Sequence, residues 1–139
     1  MTRLRISFTI PGVPVAKGRA RSGRNGVHYT PDKTRNYEAH VEQCGRAAMV
    51  DKQPIEVACL LNLRIYMPIP KSWSDDKKER AQADLIYPDK KPDTSNILKA
   101  IEDGLNEIVW SDDCQIVDHD IKRRYCAHPR VEVTVVPLL

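Results

Sequence analysis

Residues 91–117, KPDTSNILKAIEDGLNEIVWSDDCQIV, decide how the rest of the chain is read. At 100° per residue, with Asn96 set to zero, Ile97, Leu98, Ile101 and Leu105 fall between about 100° and 200°. They form the apolar stripe of a helix running from about Thr94 to Asn106. Asn96, Lys99 and Asp103 lie within about 60° of one another on the opposite side. Asp93 stands immediately before this helix. After it, the short apolar run Ile108-Val109-Trp110, a strand or turn, leads to Asp112-Asp113. The spacing allows Asp93, Lys99 and the aspartate pair to reach one spot while the stripe anchors them.

Each of these residues also has a purely structural use. Asp93, Thr94 or Ser95 can cap the helix, and Lys99 with Asp103 makes an i,i+4 pair. Asp112-Asp113 suits a turn, and Trp110 is read as core packing rather than a stacking platform. The scattered His28, His40, His119 and His128 receive no catalytic role.

Outward from that window, Leu4, Ile6, Phe8 and Ile10 alternate with Arg5, Ser7 and Thr9, the period of a half-buried strand ended by Pro11-Gly12. The Gly- and base-rich stretch VPVAKGRARSGRNGVHYTP reads as a mobile loop. A helix from about residue 32 or 34 to 50 places Tyr37, Val41, Cys44 and Ala48 on one face. A long strand over Ile55–Met67 is closed by Pro68 and Pro70. Ser74 is the expected N-cap of a short surface helix with Asp75 and Asp76 in its first turn. Two antiparallel-looking strands, Gln115 to about Tyr125 and Val131–Val136, complete the pattern. The order β-α-β-(α)-α-β-β predicts one α+β domain over residues 1–139, with a mixed or antiparallel sheet and helices packed on one face.

Composition sets outer limits. The 139 residues are 41% hydrophobic and 29% charged, with 22 Lys+Arg against 19 Asp+Glu, a net +3. These values exclude a collagen-like, low-complexity or disordered chain. No stretch approaches the ~18 apolar residues of a membrane span, and the N-terminus lacks a signal-peptide core. A cytoplasmic protein is expected. The four cysteines form no CxxC pair and have no histidine at zinc-finger distance, so they are read as reduced thiols. The small net charge conceals an asymmetry: residues 1–35 hold eight bases and one acid, and residues 74–113 hold eleven acids and six bases. A basic arm beside an acidic cluster suits a protein that grips a polyanion and holds a cation near it.

Taken together, Lys91-Pro92-Asp93-Thr94-Ser95-Asn96-Ile97-Leu98-Lys99, then Asp103-Gly104-Leu105-Asn106 and Trp110-Ser111-Asp112-Asp113-Cys114-Gln115-Ile116, resemble the signature of the RusA family of Holliday-junction resolvases. The likeness extends to the strand ending Pro11-Gly12 with its basic loop, to Tyr29-Thr30-Pro31 and to Met67–Ser74, so it covers nearly the whole chain. The resemblance implies a Mg²⁺-dependent endonuclease, with Mn²⁺ as a substitute. It further implies a homodimer that cuts four-way DNA junctions by paired symmetric incisions, with no small-molecule cofactor and no membrane partner, in a bacterial cell or encoded by its phage. Carried over by position, Asp93 and Asp113 are expected metal ligands and Lys99 a residue needed for cleavage. Ser95 stands where a second carboxylate is usual, which removes one negative charge from the site; Asp112 or Asp103 is the expected replacement. Lys17, Arg19, Arg21, Arg24, Lys90 and Lys91 are the expected contacts to backbone phosphates. Two rivals stay open: a branched-DNA-binding protein that no longer cuts, and a less selective metal-dependent nuclease.

Overall fold

The computed structural model describes residues 5–18, 21–22, 28–29 and 32–138, with the backbone alone at 21–22 and 28–29. Strand β1 (Ile6–Pro11) buries Ile6 and Ile10. The basic stretch after it contains a two-residue antiparallel pair, β2 (Arg21–Ser22) with β3 (His28–Tyr29), where the sequence suggests only irregular loop. Helix α1 (Asp32–Ala48) turns Tyr37 and Val41 inward. Strand β4 (Cys59–Pro68) buries Cys59, Leu61, Leu63 and Ile65 on one face while Leu60, Asn62, Arg64 and Tyr66 stay half-exposed on the other. This is the two-residue period of a strand with a single core face.

Helix α2 (Asp75–Gln82) is capped by Ser74, whose Oγ accepts the Lys77 N–H at 3.2 Å as expected, and it buries only Ala81. Helix α3 (Thr94–Leu105) buries Ile97, Ala100, Ile101, Gly104 and Leu105, the anticipated stripe with Leu98 at its margin. A 3₁₀ turn at Asp113–Gln115 leads into β5 (Ile116–Cys126), and β6 (Arg130–Pro137) ends the fold.

The main sheet has the order β1-β6-β4-β5. β6 runs antiparallel to both β1 and β4, whereas β4 and β5 are parallel. The last two strands are therefore not ladder partners. Alternation along β5 and β6 fixes which face is buried but says nothing of neighbours, and β4, the most fully apolar strand, lies between them. Ile6 and Leu61 both face Val135, and Ile10 and Ile65 both face Val131. Together with α1 and α3 these side chains form one core cluster, so the helices cover one face of a mixed sheet in an α+β domain. The expected early start of the long strand reduces to a single bridge between Ile55 and Trp110. Among the described residues no helix is long and apolar enough to cross a membrane.

Two glycines bring α1 and α3 close. A Cβ on Gly104 would meet Val41 Cγ1 at 2.8 Å and the Glu38 carbonyl oxygen at 3.0 Å; one on Gly45 would meet Leu105 Cδ2 at 2.6 Å. Each helix thus seats a branched side chain of the other where a methyl group would have stood, and this contact fixes the position of α3.

Candidate active site

The segment leading into α3 has no helix or strand of its own and is pinned to the sheet by Arg123 on β5. Its guanidinium donates from Nε to the Pro88 carbonyl at 3.0 Å and from Nη2 to the Lys90 carbonyl at 2.8 Å, and also bonds the Pro92 carbonyl. Five donors in a planar fork suit this task. Asp93 follows as the residue preceding the helix. Its carbonyl accepts the N–H of Asn96 at 3.1 Å and of Ile97 at 3.2 Å, but its carboxylate makes no capping hydrogen bond. The group is exposed in a cleft of about 440 Å³ shared with Lys91, Pro92 and Asn96. An aspartate at an N-cap ordinarily spends its oxygen on the helix N–H groups; here that oxygen is free for a ligand.

The aspartate pair divides its labour. Asp112 caps the 3₁₀ turn, its Oδ1 accepting the Cys114 N–H at 3.0 Å. That backbone hydrogen bond holds its carboxyl below the usual value. Gln115 completes the box by accepting the Asp112 N–H at 2.8 Å and donating to the carbonyls of Ile55 and Val57 at 2.7 and 3.0 Å. Asp113 is aimed by the core. The indole Nε1–H of Trp110, whose side chain is fully buried as read, donates to its Oδ1 at 2.7 Å.

On α3, Glu102, its side chain only 16% exposed, meets His119 of β5. Burial raises its pKa above the ordinary value, and the negative charge of Asp113 adds to the rise; His119, at 3.5 Å from Oε2, and Lys99 act in the opposite sense. The sequence reading passed over Glu102. The signal was available, because on the helical wheel Glu102 falls about 20° from Ser95, two turns further along the same side. Arg123 and His119 were likewise passed over, since neither belongs to the motif.

Other predicted residues are distributed unevenly. Lys99 Nζ lies 3.4 Å from Asp103 Oδ1. The second oxygen of Asp103 is bonded by Lys17, which also reaches Glu38 Oε1 at 3.1 Å. The Asp103 carboxylate raises the Lys17 pKa, against the opposing pull of burial and with help from Glu38. The Lys17 N–H further donates to the Asn96 carbonyl at 2.9 Å. Lys17 is thus a tie between the first loop, α1 and α3, with its charge committed inside the fold. Asp103, expected as a replacement for the missing carboxylate, has both oxygens occupied by lysines. Lys90 and Lys91 are exposed. Arg19, Arg24 and the side chain of Arg21 lie outside the described residues. Asp93 and Glu102 are nine residues apart, about 13 Å of helix rise. Among the described residues no three acids, histidines or cysteines form a ready-made cation cage, so Asp93, Asp112 and Asp113 are not gathered as one.

The family model that matches this chain describes a class of endodeoxyribonucleases. The chain belongs to the RusA family: the family model described as Endodeoxyribonuclease RusA matches residues 11–136. It is also 36% identical over 138 residues to YqaN of Bacillus subtilis (strain 168), a match that covers 94% of each chain.

Proposed function

We propose that the protein is a Mg²⁺-dependent endonuclease that resolves four-way DNA junctions, with Mn²⁺ able to substitute. The observation that carries this reading is a pair of aspartates with carboxylate oxygen to spare. Asp93 makes no capping bond beside the basic segment, and Asp113 spends Oδ1 on a buried indole and has no partner for Oδ2 among the described residues. The donor set fits a hard cation. Mg²⁺ takes oxygen ligands and keeps several waters, so two carboxylates and a substrate phosphate suffice. Glu102 adds negative charge further along α3, about two helical turns from the position of Ser95.

When bound, the cation supplies a water of lowered pKa and polarises the phosphate. The chain's own residues do the rest. Asp93 and Asp113 would hold the ion, and Asp112 keeps the 3₁₀ turn that presents Asp113. Lys99 stabilises developing negative charge on the phosphoryl oxygens. Lys90 and Lys91 grip flanking phosphates without reading sequence. A symmetric junction needs two equal incisions, which a twofold homodimer supplies.

The test is a cleavage assay on a four-way junction, a flap, plain duplex and double-stranded RNA, each with Mg²⁺, Mn²⁺ or EDTA. Paired nicks near the crossover, abolished by EDTA, are the expected result. One observation favours a second reading, a junction binder that does not cut: the described residues offer no three-acid cage, and Ser95 stands in the motif. Tight junction binding with no nicking in either metal selects that reading, and cutting of all four substrates selects a general nuclease.

A further inference from the structure

Trp73 and Tyr125 meet edge to face at 71°, with ring centroids 5.2 Å apart, yet neither belongs to the hydrophobic core. They frame a cavity of about 320 Å³ whose wall includes Met67, Pro88, Lys90 and Lys91. The Lys77 ammonium lies 4.1 Å from the Trp73 ring centroid. Lys77 thus stacks on Trp73 from outside the cavity, while Lys90 and Lys91 in its wall form no ion pair among the described residues. Arg123 also lines it, but its fork is occupied by loop carbonyls and makes that wall rigid. The volume corresponds to about ten waters, ample room for one heterocycle.

We propose that this cavity receives a single unstacked nucleobase from the DNA strand that passes Asp93. The proposal rests on the DNA-acting reading above and names the part of the substrate held beside the candidate site. Lys91 lines both this cavity and the cleft that holds Asp93 and Asn96. A strand with a phosphate at Asp93 therefore presents a neighbouring base at Trp73. Every base has a π face, so an aromatic corner holds it with little regard to sequence. Bases at a junction crossover or in a single strand are the ones free to enter, because leaving an intact stack costs energy.

The test needs neither cation nor cleavage. Trp73 and the fully buried Trp110 are the two tryptophans. In EDTA the full chain is titrated with a short single-stranded oligonucleotide and with an abasic strand of equal length, following tryptophan emission and, separately, binding by anisotropy. Emission falls with the base-bearing strand and not with the abasic one. Trp73→Phe abolishes the quench while keeping affinity, and Trp73→Ala weakens binding of the base-bearing strand roughly five- to hundredfold. Equal quenching by both strands, a quench that survives Trp73→Phe, or no quench at all overturns the proposal. The Trp73→Phe comparison decides the matter even if Trp73→Ala does not fold. A chain that quenches but never nicks a junction keeps the pocket and loses the nuclease reading; one that nicks without quenching does the reverse.

Discussion

Around Asp103 the charges of α3 cancel, and around Glu102 they accumulate. In the first region Lys17 and Lys99 share one carboxylate and Glu38 completes a compact network. In the second, next in sequence but about 100° round the helix, Glu102 is largely buried and feels the negative charge of Asp113, with His119 and Lys99 acting in the opposite sense. The same helix thus carries a finished set of interactions and an unfinished one. The first ties the basic loop to the core. The second leaves a largely buried carboxylate whose ion-pair partner among the described residues is His119, at 3.5 Å.

The sharpest way to break the comparison is to neutralise the unfinished region. Asp113→Asn and Asp93→Asn should each lower junction cleavage by at least about 100-fold, since even groups behind metal ligands cost 10- to 100-fold. The melting temperature should hardly change, because neither carboxylate closes an ion pair among the described residues. Cleavage kinetics at saturating Mg²⁺ check this, and full activity in Asp93→Asn would detach the motif from the chemistry. Next comes the seat of α3 on α1. Gly104→Ala forces a methyl group against Val41 and the Glu38 carbonyl, an overpacking worth about 1–3 kcal/mol, read from the urea midpoint.

Lys17→Met tests the finished network. It should cost about 1 kcal/mol, discounted for the partial exposure of the pair. Because the folded pKa of Lys17 lies above the ordinary 10.5, its contribution is whole below pH 10.5 and fades as the pH climbs through the folded value. Wild-type and Lys17→Met urea midpoints should converge in that alkaline range. The same variant should leave the salt dependence of DNA binding intact, whereas Lys90→Ala with Lys91→Ala should flatten the log–log slope by about 2. The smallest effect belongs to Glu102→Gln. A raised carboxyl pKa means that ionised Glu102 costs the fold stability, a cost relieved as the pH falls toward 4.5. The variant should melt about 1–2 °C higher at neutral pH and equal to wild type below pH 4.5.

Much of this architecture is legible in the chain. The stripe Ile97-Leu98-Ile101-Leu105 locates α3, Ser74 marks the start of α2, and the alternation in β1 and β4 identifies the core face. What escaped has physical causes. Period-two patterning does not encode direction, so the parallel β4–β5 pair and the insertion of β4 beside β6 could not be read from it. Counting charges treats Lys17 as a free cation, because its partner Asp103 lies 86 positions away. Motif spacing picks out Asp93, Lys99 and Asp113 and overlooks Glu102, which enters the site only through the helical angle and the approach of the 3₁₀ turn.

Arg123 gives the run from residue 83 to 92 a shape that no ladder or helix provides. Three carbonyls that would otherwise each need a partner of their own converge on one planar fork. The approach to Asp93 therefore leans on one side chain rooted in an edge strand, with Arg124 stacked on Tyr87 beside it. A lysine at that position offers one point charge and no fork, and the segment would come away while the hydrophobic interior beneath stayed whole. The molecule would begin to unravel at the entrance to α3, long before its core felt the loss.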